Sequence, residues 1–275
     1  MAITNMQDAA DNIRPPSFFT KNVNGSATTL LRSLWPATGG VPAAGVYNAT
    51  RDGVVLSSSS AQITGQIYFS DPASGNAYLA KLSATPKFSN SSESFGLLLC
   101  DRLWHNGGYT ITSTAAQNST TPAWPARDAN GTANGDGVVL GLEISADVGA
   151  GTPTVTIDYT NSAGTAGRSG TNINATAASA PFGVFYPIGL QAGDIGVRSV
   201  QSLTLSATWT SGTINLVAYR PLALLTFSGQ GRNASIDALT GGFPKLYNGS
   251  VPFFLCMGQG SANPFYTGSV SWAHG

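Results

Sequence analysis

Charged side chains are scarce in this sequence. Lysine and arginine together number 13, as do aspartate and glutamate, and all four make up 9% of the 275 residues, against about 25% in an average soluble domain. No cluster of basic residues is present to neutralise phosphates, so the sequence predicts no nucleic-acid partner. The formal net charge is zero, and neutral surfaces repel one another little. We therefore expect a chain that packs against copies of itself or against another protein.

Cysteine and histidine are almost absent, which leaves few groups for catalysis. Cys100 and Cys256 each follow an apolar run, so we expect buried thiols rather than a disulfide. Cys100 and His105 would point to opposite faces of a strand, which argues against a catalytic dyad. No G-x-S-x-G motif supplies an activated serine. Only two glutamates are present, and most aspartates lie in turn-forming segments. The sequence therefore predicts no catalytic residue, no cofactor and no enzyme.

Long apolar segments are also missing. No run approaches the roughly 20 apolar residues that span a bilayer, and residues 1–14 contain no apolar core of a secretory signal. We expect no membrane association, and we expect synthesis and assembly in a cytoplasm.

One segment has the composition of a cation-binding loop. Residues 128–136 place Asp128, Asn130, Thr132, Asn134 and Asp136 at alternate positions, and calcium loops carry oxygen ligands at such positions. An EF-hand, however, needs a glycine and a bidentate glutamate where this loop has alanine and valine. We therefore expect a polar hairpin loop and no metal.

The residues that are plentiful indicate a β fold. Apolar and β-branched stretches recur at short intervals and are separated by Gly-, Asn- and Ser-rich turns, a pattern typical of antiparallel sandwiches. We predict an all-β antiparallel β-sandwich or jelly roll, with a short N-terminal helical arm and few other short helices. Residues 1–60 are expected to form the arm and a loop-rich segment, and residues 61–275 the β-sandwich body. The predicted strands cover residues 62–69, 95–104, 109–112, 138–144, 154–160, 199–209, 213–219, 222–227, 251–257 and 267–272.

Helices are expected at three places, one of which is a short helix over residues 28–34 that Trp35 and Pro36 would end. Residues 4–13 have a possible capping box between Thr4 and Gln7, and Pro15 would end that helix. Residues 235–239 are opened by Asn233 or Ser235 and are followed by two glycines, which favours a short helix.

Four motifs resemble a group of tailed-bacteriophage virion proteins, and the resemblance covers roughly residues 90–275. The motifs are LLCDRLWHNGG at 98–108, PARD at 125–128, IDYTNSAGTAGR at 157–168 and LQAGDIGVRSVQS at 190–202. The resemblance implies a structural component of the virion, and specifically a capsid decoration (cement) protein. Its partners would be the major capsid protein and copies of itself, as in a homotrimer on a symmetry axis. It would then lie on the capsid surface after assembly in the host cytoplasm.

Four charged residues are candidates for the interface of such a protein. Arg168, Asp194 and Arg198 lie in Gly-rich segments, and Arg14 ends the predicted N-terminal arm. Each of the first three has an equally simple alternative role, which is to stabilise its own turn.

Three other functions remain open from the sequence. The chain could belong to the tail, the neck or a host-binding structure of the virion. It could be a carbohydrate-binding jelly-roll module, in which Trp35, Trp124, Trp209 or Trp272 stacks on sugar rings. The third alternative is a glycan hydrolase that uses a pair of carboxylates.

Overall fold

A computed structural model describes residue 3 and residues 5–22, 30–87, 95–242, 244–258 and 265–275. Within these residues the chain forms seventeen strands and two short helices. The helices are α1 (Met6–Asp11) and α2 (Ala238–Gly241). The strands are β1 (Ser17–Asn22), β2 (Arg32–Ser33), β3 (Gly39–Val41), β4 (Val54–Val55), β5 (Ala77–Lys87), β6 (Phe95–His105), β7 (Gln117–Asn118), β8 (Val139–Ala146), β9 (Val155–Asn161), β10 (Arg168–Asn172), β11 (Phe185–Gly189), β12 (Val197–Leu205), β13 (Thr213–Phe227), β14 (Ala234–Asp237), β15 (Lys245–Leu246), β16 (Pro252–Gly258) and β17 (Phe265–His274).

The described chain is almost entirely β and its strand pairs are antiparallel, which confirms the predicted fold class. It divides into two compact units, and the long strands β6 and β13 contribute residues to both. Unit 1 comprises Met1–Val46, Ser57–Asp101 and Pro221–Gly275, whereas unit 2 comprises Tyr47–Leu56 and Arg102–Arg220. Both units contain residues from either side of residue 60, where the sequence predicts the end of the N-terminal segment. No helix in the described part of the chain is long and apolar enough to cross a membrane.

Unit 1 is a two-layer sandwich. One layer has the strand order β14-β5-β17-β1-β3, with β15 also paired to β5, and the other has the order β2-β16-β6-β13. Alternate residues of each strand face the space between the layers. There Phe19 of β1 meets Phe254 of β16, with ring centroids 4.7 Å apart. Cys100 and Cys256 are free and buried, as the sequence predicts.

Unit 2 is an antiparallel sheet that curls back on itself. Its order runs from β13 through β8, β11, β10, β9 and β12 to β7. The amide of Val197, at the start of β12, donates to the carbonyl of Val138, just before β8, at 2.9 Å. A bridge between Asp136 and Gly196 adds to this closure. The curled sheet surrounds fully buried apolar side chains, among them Leu140, Leu142, Ile157, Tyr159 and Leu203.

Several predicted elements are wrong, and the side chains show why. Residues 62–69 form a loop rather than a strand. The side chain of Gln62 donates to the backbone carbonyl of Phe69 and accepts from the backbone amide of Phe69 and from the side-chain amide of Gln66, which closes the loop. Residues 109–112 form no strand either; the backbone of Thr110 bonds the side chain of Gln117 instead. The eleven-residue strand β5 was not predicted at all.

The predicted helices are displaced, shortened or absent. The helix expected at residues 28–34 is wrong for the described residues 30–34, where Arg32–Ser33 form β2 and pair with β16; residues 28–29 lie outside the described residues. Residues 234–237 are the strand β14, and α2 begins after Asp237, whose side chain accepts from the amide of Thr240 in a capping box. Gly242 ends α2 in the left-handed conformation. The N-terminal helix α1 is present, capped by Asn5; Thr4, the cap that the sequence suggests, lies outside the described residues.

Candidate functional site

The structure brings two of the four candidate residues into direct contact. Arg168 begins β10, and Asp194 lies in the turn that leads to β12. The guanidinium of Arg168 donates from Nε to Asp194 Oδ2 at 2.9 Å and from Nη2 to Oδ1 at 3.0 Å. This bidentate geometry is the strong form of an arginine–carboxylate pair.

The remaining capacity of Asp194 is also used within unit 2. Its carboxylate accepts from Tyr159 Oη at 2.6 Å and from Asn161 Nδ2 at 2.7 Å. The hydrogen bond from Arg168 is the largest of several contacts that lower the pKa of Asp194 to about 2. Asn161 in turn accepts at Oδ1 from the amide of Thr165 at 2.8 Å. The cluster therefore fixes the turn after β9, which is the local role that the sequence leaves open.

Arg198 lies on β12, the strand that pairs with β9, but among the described residues its side chain makes no hydrogen bond or ion pair with this cluster. In the β9–β12 pairing, Val197 is opposite Asn161 and Ser199 is opposite Thr160, so Arg198 is the extra residue of a β-bulge. A bulge re-aims the side chain of the extra residue. The Arg198 side chain is exposed, and no hydrogen bond or ion pair to it is found among the described residues.

The re-aimed arginine lines an open cleft of about 470 Å³ in unit 2. Hydroxyl groups and small apolar side chains line the rest of the cleft. The lining residues are Thr121, Pro122, Ala123, Ala133, Thr160, Gly164, Arg198 and Ser199.

One wall of the cleft is a segment that runs along β12. The amide of Val200 donates to Thr121 Oγ1 at 3.1 Å, and Trp124 Nε1 donates to the carbonyl of Val197 at 2.7 Å. The amide of Ser119 donates to the carbonyl of Gln201 at 2.9 Å. These contacts fix the position of Pro122 and Ala123 relative to the strand.

The loop considered above for cation binding contributes Ala133 to the cleft. Its Asp128 is buried and accepts from Thr132 Oγ1 and from the amides of Asn130, Thr132, Gly135 and Asp136, at 2.6 to 3.2 Å. The carboxylate thus organises the loop by bonding the loop's own donors. Among the described residues no group of three His, Cys, Asp or Glu side chains is arranged to hold a metal ion.

Arg14, the fourth candidate, belongs to unit 1 and is separate from this group. It lies between α1 and β1, its side chain is exposed, and its amide donates to the carbonyl of Trp272 at 2.7 Å. The bond holds the end of the helical arm against β17. Any interface contact of Arg14 stays a prediction.

Sequence reasoning missed a buried ion pair in unit 2. Arg102 Nη2 lies 2.7 Å from Glu143 Oε2, and neither side chain is exposed. Arg102 Nε also donates to His105 Nδ1 at 3.1 Å. Burial, followed by the charge of Arg102, lowers the pKa of His105 to about 2. His105 is therefore a neutral acceptor in the core, and its position there is structural.

The tryptophans proposed to stack on sugars are all in the interior. Trp35, Trp124, Trp209 and Trp272 are at most 2% exposed. A carbohydrate site that depends on an exposed tryptophan is therefore wrong for these four residues.

No protein-family model matches the chain, and no curated protein does either. The VP2 subviral particle of infectious bursal disease virus is 10% identical, with 95% of this chain and 80% of that chain covered, at a TM-score of 0.20. The Gt strain of the same virus is 11% identical, with 94% and 78% covered, at a TM-score of 0.21. Superpositions at these TM-scores carry no argument about fold or function.

Proposed function

We propose that the chain is a non-enzymatic structural component of a tailed-bacteriophage virion, and that it decorates the capsid. Its partners are then the major capsid protein and copies of itself in a homotrimer. It would occupy the capsid surface after assembly in the host cytoplasm.

The observation that carries the proposal is the outward surface of the larger sheet of unit 1. Two rows of side chains cross this surface from strand to strand, and neither row contains a charge. We call the two rows the hydroxyl face. Its rows are Phe18–Ser269–Ser83–Ser235 and Val41–Thr20–Thr267–Thr85.

The hydroxyl face is suited to burial against another protein. Phe18 is 74% exposed and Val41 is 60% exposed, so two large apolar side chains stand on a surface of small hydroxyls. A partner that covers the hydroxyl face does not have to desolvate a charged group, and charged groups are the ones that cost most to desolvate. Interface centres are depleted of charged residues for the same reason.

The dimensions show what share of an interface the face would supply. Strands lie about 4.8 Å apart and alternate residues about 6.8 Å apart, so the two rows of four residues cover roughly 260 Å². A standard interface buries about 800 Å² on each partner. The hydroxyl face is therefore the centre of a contact that must extend to surrounding residues.

The first test is the copy number per virion, measured by quantitative mass spectrometry against the major capsid protein. We expect on the order of hundreds of copies, because shell contacts repeat with the capsid symmetry. Capsids that lack the chain should release their DNA at a lower temperature in a dye-access assay. About a dozen copies or fewer, located at the neck or tail, would contradict decoration, and absence from virions would contradict the whole proposal.

A second test uses the hydroxyl face itself. Ser269→Arg places an unpaired charge on the central strand of the face, so it should strongly reduce binding to capsids that lack the chain. The matched control is Gln191→Arg, which adds the same charge at an exposed position of unit 2. Equal capsid binding by both variants, with unchanged melting temperatures, would contradict a role for the hydroxyl face.

A further inference from the structure

We propose that the cleft around Arg198 binds a carboxylate-bearing sugar, such as a hexuronic acid unit of a polysaccharide. This binding function goes beyond the structural role proposed above and does not depend on it. All residues of the cleft belong to unit 2.

The cation in the cleft is positioned for a ligand. Arg198 is displayed by the bulge in β12, and within the described chain no acidic side chain neutralises it. A planar guanidinium binds a carboxylate through two parallel hydrogen bonds. The nearby Arg168 differs in this respect, because its guanidinium is already held by Asp194. The structure therefore leaves one arginine of this region able to bind an external anion.

The rest of the lining matches a sugar ring better than it matches a simple anion. Thr160 and Ser199 face each other across the β9–β12 pair, and both present hydroxyls that can bond sugar hydroxyls. Pro122, Ala123 and Ala133 supply apolar surface for the C–H face of a ring. The cleft of about 470 Å³ lies within the range of about 300–1,000 Å³ typical of small-molecule sites.

The number of charges limits the ligand to one anionic group per site. Polymers of phosphate are held by several cations along their length, whereas this cleft contains a single arginine. One carboxylate on a hydroxyl-rich ring satisfies the arginine and the two hydroxyls together.

The walls of the cleft are fixed before any ligand arrives. The turn at Gly164 is held by Asn161, and Asn161 is held by Asp194. The loop that carries Ala133 is held by Asp128. A preformed site loses little conformational freedom on binding.

The test is titration calorimetry of the purified full chain with methyl glucuronide. Methyl glucoside has the ring without the carboxylate, and acetate has the carboxylate without the ring. We expect glucuronide to bind and the other two to bind more weakly by roughly tenfold or more, because each lacks one half of the contacts. Arg198→Gln should abolish glucuronide binding and Arg198→Lys should weaken it, since lysine cannot form the bidentate pair.

Matched variants separate the cleft from general effects. Arg232→Gln removes an exposed arginine of unit 1 and should leave binding unchanged. Ala133→Leu narrows the cleft while Arg198 stays, and it should also weaken glucuronide binding. Each variant is checked for an unchanged melting temperature.

Three results would overturn the proposal. Equal affinity for acetate and glucuronide would show a general carboxylate contact, and full glucuronide binding by Arg198→Gln would place the sugar elsewhere. Absence of glucuronide binding would rule out a sugar site, and binding of a short glutamate-rich peptide titrated in the same way would then show that the cleft holds a protein side chain. Because capsid binding through the hydroxyl face is measured separately, each proposal can fail without the other.

Discussion

A buried lysine should make the stability of unit 1 depend on alkaline pH. Lys21 lies on β1 and is only 1% exposed. Its Nζ donates to the carbonyl of Ala37 at 3.2 Å, and no carboxylate contacts it in the described residues. Burial lowers the pKa of Lys21 from 10.5 to about 8, because the charged form is poorly solvated inside the protein.

The sign of the effect follows from proton binding. Between pH 8 and pH 10.5 the unfolded chain carries a proton on Lys21 that the folded chain has released. The free energy of unfolding therefore rises with pH across this window. At about 1.4 kcal/mol for each tenfold change in proton affinity, the rise amounts to about 3 kcal/mol. At pH 7 the same amount is a penalty that the folded protein carries.

The substitution Lys21→Met keeps the aliphatic stem and removes the charge. We expect the variant to be more stable than the natural chain at pH 7 by about 1–3 kcal/mol, because it escapes the charge penalty of about 3 kcal/mol and loses part of that gain where the Ala37 carbonyl is left without its donor. The advantage should disappear near pH 10.5. The measurement is urea unfolding of both proteins at pH 7, 8.5, 9.5 and 10.5, with the difference between them plotted against pH.

Taking the difference removes other titrating groups. Tyr266 lies opposite Lys21 on β17, and burial, followed by Cys256, raises its pKa well above the usual value. Burial likewise raises the pKa of the Cys256 thiol to about 12. Both groups are present in both proteins and cancel. A difference that does not change between pH 7 and pH 10.5 would refute the argument.

Three further predictions concern unit 2. Glu143→Gln or Arg102→Met should lower the free energy of unfolding by about 3–5 kcal/mol, measured by urea unfolding, because each leaves the partner's charge buried without its counter-ion. Replacing both residues with apolar ones should cost less, and a double variant as unstable as the single variants would contradict this explanation. Asp128→Ala should cost about 3 kcal/mol and Asp128→Asn less, because several loop donors lose their acceptor; equal melting temperatures for the two variants would count against it. The stability contributed by Asp194 is present above about pH 4 and is lost as pH falls to about 2. Arg168→Gln should raise the pKa of Asp194, measured by NMR titration. An unchanged pKa would show that the ion pair with Arg168 is not the main cause of the low value.

The sequence predicts strands well where large apolar residues repeat. Residues 95–104 and 213–219 lie entirely in strands, and so do all but the first residue of 138–144 and of 154–160, because their apolar side chains need a buried face. The sequence does not predict β5, because this strand is built partly from Ala, Lys and Pro, which have weak strand preferences. Its pairing with β17, more than 170 residues away in the chain, determines its structure.

The candidate site could be predicted only in part. The sequence indicates Arg168, Asp194 and Arg198 through their Gly-rich segments, and the structure places all three around β9 and β12. Their different roles depend on a bulge and on partners such as Tyr159, which no local pattern reveals. The pair of Arg102 with Glu143 spans 41 residues, so only the folded chain shows it.

The structure shows where the few charged residues of this chain lie. Many of the few charged groups in the described chain are buried. They are Lys21, Arg32, Asp101, Arg102, Arg127, Asp128, Glu143 and Arg220. These eight groups therefore add no charge to the exposed surface, where charged residues stay sparse. On such a surface a charge-free face can be covered by another protein at low cost, whereas a single exposed guanidinium beside a cleft has few competing charges for an incoming anion. The hydroxyl face and the Arg198 cleft thus follow from the same property of the sequence.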